Sequence, residues 1–216
     1  MFTKYGYTTI GIVLIISFFL IVAGIFFNNG FIRYPLFVIA SLLIIFTLNF
    51  FRDPERITPA KDNIVVSPAD GTVLFVKEVI DEKFINGKAK QISIFMSPLN
   101  VHVNRIPISG TVEYLKHYEG EFIAAFEDKA SEKNERTEIG IASEKGKVLF
   151  TQIAGFVARR IVCDLKIGDK VKIGERFGMI KFGSRVDILV PNNWQEKVKK
   201  DDKVFAGETI LFEITQ

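Results

Sequence analysis

One cysteine, two histidines and one tryptophan in 216 residues narrow the chemistry this chain can perform. Cys163 alone excludes an intramolecular disulfide and fits a reducing compartment; its ordinary role is a small buried hydrophobe on a strand. That one cysteine and the two separated histidines, His102 and His117, do not make a zinc site, so no metal is expected. Acidic residues are missing altogether from Met1–Phe51, which holds only Lys4 and Arg33 of the 28 basic residues. The other 26 face all 25 acids in Arg52–Gln216, so that part is close to neutral. A pI of 8.9 therefore does not signal a nucleic-acid partner, which needs a basic field.

What the first 51 residues do contain is apolar. Ile10–Phe27 and Tyr34–Phe51 are uncharged runs of 18 residues each, and a helix needs about 20 mostly apolar residues to cross the hydrocarbon core. Asn28-Asn29-Gly30 between them is turn chemistry, which predicts a helical hairpin with both ends on one side. The second run and the lack of a small-residue cleavage site argue against a removable signal peptide. Lys4 precedes the first helix and Arg52, Arg56 and Lys61 follow the second, against Arg33 alone in the loop. The positive-inside bias then places both termini at the cytoplasmic face of the cell's inner membrane. The expected division is a transmembrane hairpin over residues 1–51 and a second domain over 52–216.

Beyond Phe51 the pattern shifts to short β-rich runs punctuated by glycine. Ile64–Val66, Gly71–Val79, Ala89–Met96, Gly110–Tyr118, Lys147–Ile153, Val157–Leu165 and Phe177–Phe182 read as strands, with Asn86-Gly87 as a hairpin turn. A helical period shows only around Phe122–Ala130. The element D-K-V-x-x-G-E occurs twice, at Asp169–Glu175 and Asp202–Glu208, each followed by an apolar strand. Such an echo is how the halves of lipoyl- and biotinyl-type domains look, and it predicts a mainly β fold, a β-sandwich or barrel-sandwich, behind the helical anchor. No lysine stands in the turn context of a biotinyl or lipoyl carrier. On pattern alone the domain could still be a membrane-tethered adaptor without catalysis.

The chemistry rests on Gly183-Ser184. By itself this dipeptide reads as a turn between strands. Held under strain, however, a Gly-Ser peptide lets the serine hydroxyl attack the preceding carbonyl, and a residue without Cβ reaches the backbone conformations this requires. Four segments place the pair in context. They are Ser67-Pro-Ala-Asp-Gly-Thr-Val, Met96-Ser-Pro-Leu-Asn-Val-His-Val-Asn-Arg-Ile-Pro-Ile-Ser-Gly, Asn134-Glu-Arg, and Gly174-Glu-Arg-Phe-Gly-Met-Ile-Lys-Phe-Gly-Ser-Arg-Val-Asp. In that order, from about Arg52 to Val190, the chain closely resembles the phosphatidylserine decarboxylase proenzymes, in the short form with a hairpin anchor.

The resemblance implies scission between Gly183 and Ser184 into chains of residues 1–183 and 184–216, with Ser184 becoming a pyruvoyl group. That group forms a Schiff base with the serine head group of a phospholipid and acts as the electron sink for loss of CO₂. The partners implied are thus the phospholipid, the membrane and the cleaved fragment, with a homo-oligomer left open. Acyl and ether lipids stay equally open, because neither tail touches the reacting centre.

Activation of a serine needs a base and an orienting carboxylate, and His102 and Asp70 match the family's positions. Each also has a plainer reading: Asp70 before Gly71 suits a turn, and Val101-His102-Val103 suits a core histidine. Longer relatives carry His-x-x-His here, whereas this chain has Arg105 in the second place. Either His102 serves both self-cleavage and decarboxylation, or Arg105 takes a new role on the substrate's phosphate or carboxylate. A surface salt bridge is Arg105's alternative. His117 reads as structural or as a substrate-pocket residue.

Overall fold

The computed structural model describes residues 1–120, 133–155, 160–181 and 184–215. The helical stretch expected around Phe122–Ala130 lies outside the described residues, as does Gly183. The chain forms two compact units, Met1–Glu55 and Arg56–Gln216.

In the first unit, α1 (Tyr7–Phe26) and α2 (Gly30–Phe50) are joined through Asn28 and Asn29. Asn29 caps α2, its side chain accepting from the Phe31 N–H at 2.9 Å. Small residues let the helices approach. A Cβ on Gly24 would lie 2.6 Å from the Phe37 ring, and Ser17 donates to the Ala40 carbonyl at 3.5 Å. Most other apolar side chains point outward, among them Phe18, Phe19, Leu42 and Ile45. A helix that is apolar all round suits lipid rather than water. Both helices are long and apolar enough to cross a membrane.

The second unit is mainly β, as the sequence predicts. Its first seven described strands are β1 (Ile64–Val66), β2 (Gly71–Asp81), β3 (Gly87–Met96), β4 (Val103–Arg105), β5 (Gly110–Tyr118), β6 (Arg136–Ser143) and β7 (Gly146–Ala154). They are followed by β8 (Arg160–Cys163), β9 (Lys170–Val171), β10 (Arg176–Lys181), β11 (Ser184–Pro191), β12 (Gln195–Glu196), β13 (Lys203–Val204) and β14 (Ile210–Glu213). Eight of these build one sheet in the order β13-β2-β3-β11-β7-β6-β5-β9; two smaller sheets run β1-β14-β12 and β4-β10-β8. The large sheet curls. Phe84, at the tip of the β2–β3 hairpin, lies against Gly140 of β6, where a Cβ would come within 2.8 Å of its ring. Asn86 at that tip takes the left-handed conformation, with φ 59°, that the Asn-Gly pair leads one to expect.

The echo of D-K-V-x-x-G-E marks an internal two-fold relation. Gly207 N donates to Ser67 O and Gly174 N to Ile106 O, both at 2.8 Å. Val66 N donates to Pro107 O and Arg105 N to Pro68 O, both at 3.0 Å; Val73 N donates to Asp202 O and Val112 N to Asp169 O, both at 2.9 Å. Thus β1, β2 and β3 match β4, β5 and β6, while β11, β13 and β14 match β7, β9 and β10. A second echo becomes visible only with this pairing: Pro68-Ala-Asp-Gly-Thr-Val73 against Pro107-Ile-Ser-Gly-Thr-Val112.

In chain order, the half from β4 to β10 is inserted between β3 and β11 of the other half. Ser184 is the first residue of β11, so it stands where the chain returns to the host half. One face of the large sheet carries the core, with Ile92, Ile94, Ile139, Phe150, Val186 and Ile188 fully buried. Each such side chain contributes about 1.5–3 kcal/mol on leaving water.

Candidate active site

Strand β11 lies between β3 and β7, with Ser184 opposite Met96 on one side and Ala154 on the other. Side chains directly opposite share a face of the sheet, so Ser184, Met96 and Ala154 all point to the core side. Ser184 is fully buried, and its hydroxyl donates to the Met96 sulfur at 3.2 Å. The carboxamide of Asn104 reaches the same sulfur at 3.9 Å and donates to the Pro68 carbonyl at 3.3 Å. Gln152 in turn donates to Asn104 Oδ1 at 2.9 Å. Among the described residues the serine hydroxyl thus meets a polarizable thioether that an amide also reaches.

His102 precedes β4 and is fully buried. Its carbonyl accepts from Ile180 N at 3.4 Å, which places it beside the end of β10, four positions before Ser184. Its Nδ1 meets the Asn100 carbonyl at 3.0 Å. A carbonyl can only accept, so this bond assigns a proton to Nδ1, and in the neutral ring Nε2 carries the basic lone pair. The chain turns back here at Ser97–Asn100, where Ser97 N donates to Asn100 Oδ1 at 2.9 Å.

Asp70 sits in the turn before β2, next to the segment β4 packs on: Arg105 N donates to Pro68 O. The carboxylate of Asp70 is buried. Oδ1 accepts from Ala206 N at 2.8 Å and Oδ2 from Arg56 Nη2 at 2.7 Å. Arg56 Nη1 donates to Glu208 at 2.8 Å, and its guanidinium lies 5.4 Å from the centre of the Phe205 ring. Burial pushes the Glu208 carboxyl up, but the Ile57 N–H and the Arg56 and Arg105 guanidinium groups outweigh it and hold it below the ordinary carboxylate range.

Arg105 is 6% exposed and donates to the Gly174 carbonyl at 2.9 Å. Its stem passes over Gly207, where a Cβ would come within 2.8 Å, so this φ +75° position needs glycine for space as well as for conformation. Arg56, Arg105, Asp70 and Glu208 form a cluster of balanced charge.

Strand β4 is what these residues share: His102 precedes it and Arg105 ends it, Asn104 reaches the sulfur that Ser184 bonds, and Pro68, two residues before Asp70, accepts from Asn104 and Arg105. His117 stands apart. It pairs with Thr137, which pairs with Gln152, which pairs with Val186, and three strand spacings amount to about 14 Å. Its ring meets Thr137 Oγ1 at 2.9 Å and its side chain is half exposed. At the end of β10, Lys181 stands opposite Arg160. Burial, with that like charge adding to it, pulls its ammonium below the usual lysine range.

Sequence reasoning did not single out Met96, Asn104, Gln152, Glu208 or a site role for Arg56. Asn104 lies inside a motif already noted. Arg56 reads in sequence only as a charge after the second helix, whereas the fold turns it onto Asp70.

Comparison with known proteins gives the family. The sequence profile for phosphatidylserine decarboxylase matches residues 43–212. A phosphatidylserine decarboxylase proenzyme from Chlorobium phaeovibrioides is 49% identical over 98% of this chain and 95% of its own length. One from Pelodictyon phaeoclathratiforme is 45% identical over 98% and 99%. One from Chlorobaculum tepidum is 51% identical over 78% and 77%. The chain therefore belongs to the phosphatidylserine decarboxylase family of carboxy-lyases.

Proposed function

We propose that this protein cleaves itself between Gly183 and Ser184 and, so matured, removes CO₂ from the serine head group of phosphatidylserine to leave phosphatidylethanolamine. The observation that carries the reading is Ser184: buried, at the head of a central strand, following the family's glycine. In maturation, Ser184 Oγ attacks the carbonyl of residue 183 and the peptide becomes an ester. A base then takes the Cα proton and the ester leaves by β-elimination. The resulting dehydroalanine is hydrolysed to a pyruvoyl end with loss of ammonia.

His102, through Nε2, is the base available at β4, and Asp70 supplies the fixed negative charge of the site. The surroundings of position 184 fit a pyruvoyl group, because among the described residues its side chain bonds to the neutral Met96 sulfur and the Asn104 amide stands within reach of the same sulfur. In place, that group supplies a carbonyl that condenses with the substrate amine and draws off the electron pair as CO₂ leaves. This chain's own residues hold the head group, exclude water and return a proton to Cα, for which His102 is placed.

The membrane-spanning hairpin keeps the enzyme at the bilayer that holds its substrate, and the basic residues around it favour the cytoplasmic face. Membership in an enzyme family sets aside the adaptor reading. Intact-mass spectrometry should find two chains, the smaller of 33 residues beginning at position 184, and Ser184→Ala should leave one uncleaved, inactive chain. Lipid analysis after incubation with phosphatidylserine vesicles should show the ethanolamine lipid. A normal 33-residue fragment from Ser184→Ala would overturn the reading.

A further inference from the structure

The molecule contains its own control for Asp70. Under the two-fold relation Asp70 corresponds to Ser109, and both do the same structural task. Asp70 Oδ1 accepts from Ala206 N at 2.8 Å, and Ser109 Oγ accepts from Ile173 N at 2.9 Å. Each is followed by a glycine pressed against the neighbouring strand: a Cβ on Gly71 would lie 2.2 Å from the Phe95 carbonyl, and one on Gly110 2.3 Å from that of Ala142. A hydroxyl therefore suffices to close this turn. The second carboxylate oxygen and its negative charge at Asp70 exceed what the turn requires.

That extra oxygen is the one Arg56 holds. Side-chain exposure is 13% for Arg56 and 5% for Asp70, so solvent screens the pair little, and charge-assisted bonds of this kind are shorter and stronger than neutral ones. Arg56 is itself fixed, by Glu208 on its other nitrogen and by the Phe205 ring. An arginine bridging two carboxylates and stacked on an aromatic ring has few other conformations open to it.

We propose that Arg56 is a positioning residue for self-cleavage: it holds the Asp70 carboxylate immobile, so that a fixed negative charge is present when the imidazolium of His102 forms. This rests on the reading of Asp70 as part of the processing site. Arg56 acts through Asp70 and touches no reacting atom. The proton budget follows: Asp70, bonded through both oxygens to donors, serves as a charge and not as the proton acceptor, which leaves the Cα proton to His102.

The test is the rate of scission of newly synthesised full-length protein, followed by gel and intact mass, beside thermal unfolding of the same variants. Asp70→Ser copies the other half and should fold with a melting temperature near the parent's, yet remain uncleaved. Arg56→Ala should slow scission at least tenfold, and Arg56→Lys should be faster than Arg56→Ala because the charge is kept. In the Asp70→Asn background, Arg56→Ala should add no further slowing, since the charge it positions is gone. Parental scission by Arg56→Ala, equal rates for the lysine and alanine variants, or multiplicative effects in the double variant would each overturn the role of Arg56. Parental scission by Asp70→Ser would instead remove Asp70 from the site, and with it the reading on which the proposal rests.

Discussion

Two buried arginine–carboxylate pairs, Arg185–Asp187 and Arg56–Asp70, are built differently. Arg185 and Asp187 lie two residues apart on β11, on the face opposite Ser184. Arg185 Nε and Nη2 donate to the two Asp187 oxygens at 2.6 and 2.9 Å. On β3, Ser93 bonds to both Asp187 and Arg185, Gln91 donates to Asp187 at 2.9 Å, and the Phe75 ring lies 5.0 Å from the guanidinium. Arg185 is 1% exposed. We call this pair closed because its partners named above are neighbours within one sheet, and they fix how β11 sits on β3. Arg56–Asp70 is open in construction, because its arginine arrives from the segment before β1 and is shared with Glu208. A closed pair is suited to holding structure and an open one to serving chemistry. Breaking each should therefore damage a different property.

The largest effect expected is kinetic. Asp70→Asn keeps the size and the Ala206 bond but discards the charge. Loss of the corresponding charge in serine triads costs about 10⁴-fold, so scission should slow by at least about 100-fold. Unfolding in urea should shift by no more than about 1.5–3 kcal/mol, the worth of a hydrogen bond to a charged group, since Arg56 keeps Glu208 as its counter-ion. A large loss of stability with scission at the parental rate would erase the contrast between the pairs.

Asp187→Asn should do the reverse. It leaves the Arg185 charge buried without its counter-ion, and breaking such a pair costs about 3–5 kcal/mol. Against a total stability of about 5–15 kcal/mol this is a large fraction. The measurement is chemical unfolding of the detergent-solubilised protein. A shift under about 1 kcal/mol would show that the network is not closed.

That difference also explains what could be read from the sequence. The helical hairpin and β2, β3 and β5 were legible because their apolar runs or alternation are not interrupted by buried charge, Asp81 coming only at the last residue of β2. Strand β11 was not, although it is central to the sheet: Arg185 and Asp187 are buried on the face opposite the core and make Ser184–Val190 look like a polar turn. Likewise Glu138 and Gly140 interrupt β6, whose Glu138 is buried by its pairing with Tyr114 and Lys83. The D-K-V-x-x-G-E echo was visible, but a repeat does not disclose that one half is inserted in the other. Asp70, His102 and Ser184 emerged through family resemblance. Arg56 could not, since its bond to Asp70 depends on where the fold carries residues 56 and 206–208 together.

Replacing the closed pair outright sharpens the comparison at smaller cost. Arg185→Met with Asp187→Leu removes both charges at once, and apolar replacements of buried pairs are often neutral or stabilising. Ser93 and Gln91 would then lack their acceptor, costing about 1–3 kcal/mol each, so Ser93→Ala and Gln91→Met belong in the same variant. That fourfold variant should unfold within about 1–2 kcal/mol of the parent and still cleave, because Ser184 faces the other side of β11. Loss of scission in a protein of parental stability would assign the Arg185–Asp187 pair a part in processing.

The smallest effect is expected at His117, which belongs to neither pair. Its half-exposed ring meets Thr137 Oγ1 and lies 4.0 Å from Glu135, an arrangement in which surface substitutions usually stay within about 0.5 kcal/mol. Its place on β5, three strands from β11, puts it about 14 Å from the serine by strand spacing, beyond the reach of direct proton transfer. His117→Ala should therefore cleave within about twofold of the parental rate, whereas His102→Ala, which removes the only histidine at β4, should not mature. Comparing the two variants on one gel decides which histidine is the base: a blocked His117→Ala beside a cleaving His102→Ala would move the acid–base chemistry to the β5–β6 side of the sheet and leave Asp70 and Arg56 without an imidazolium to stabilise.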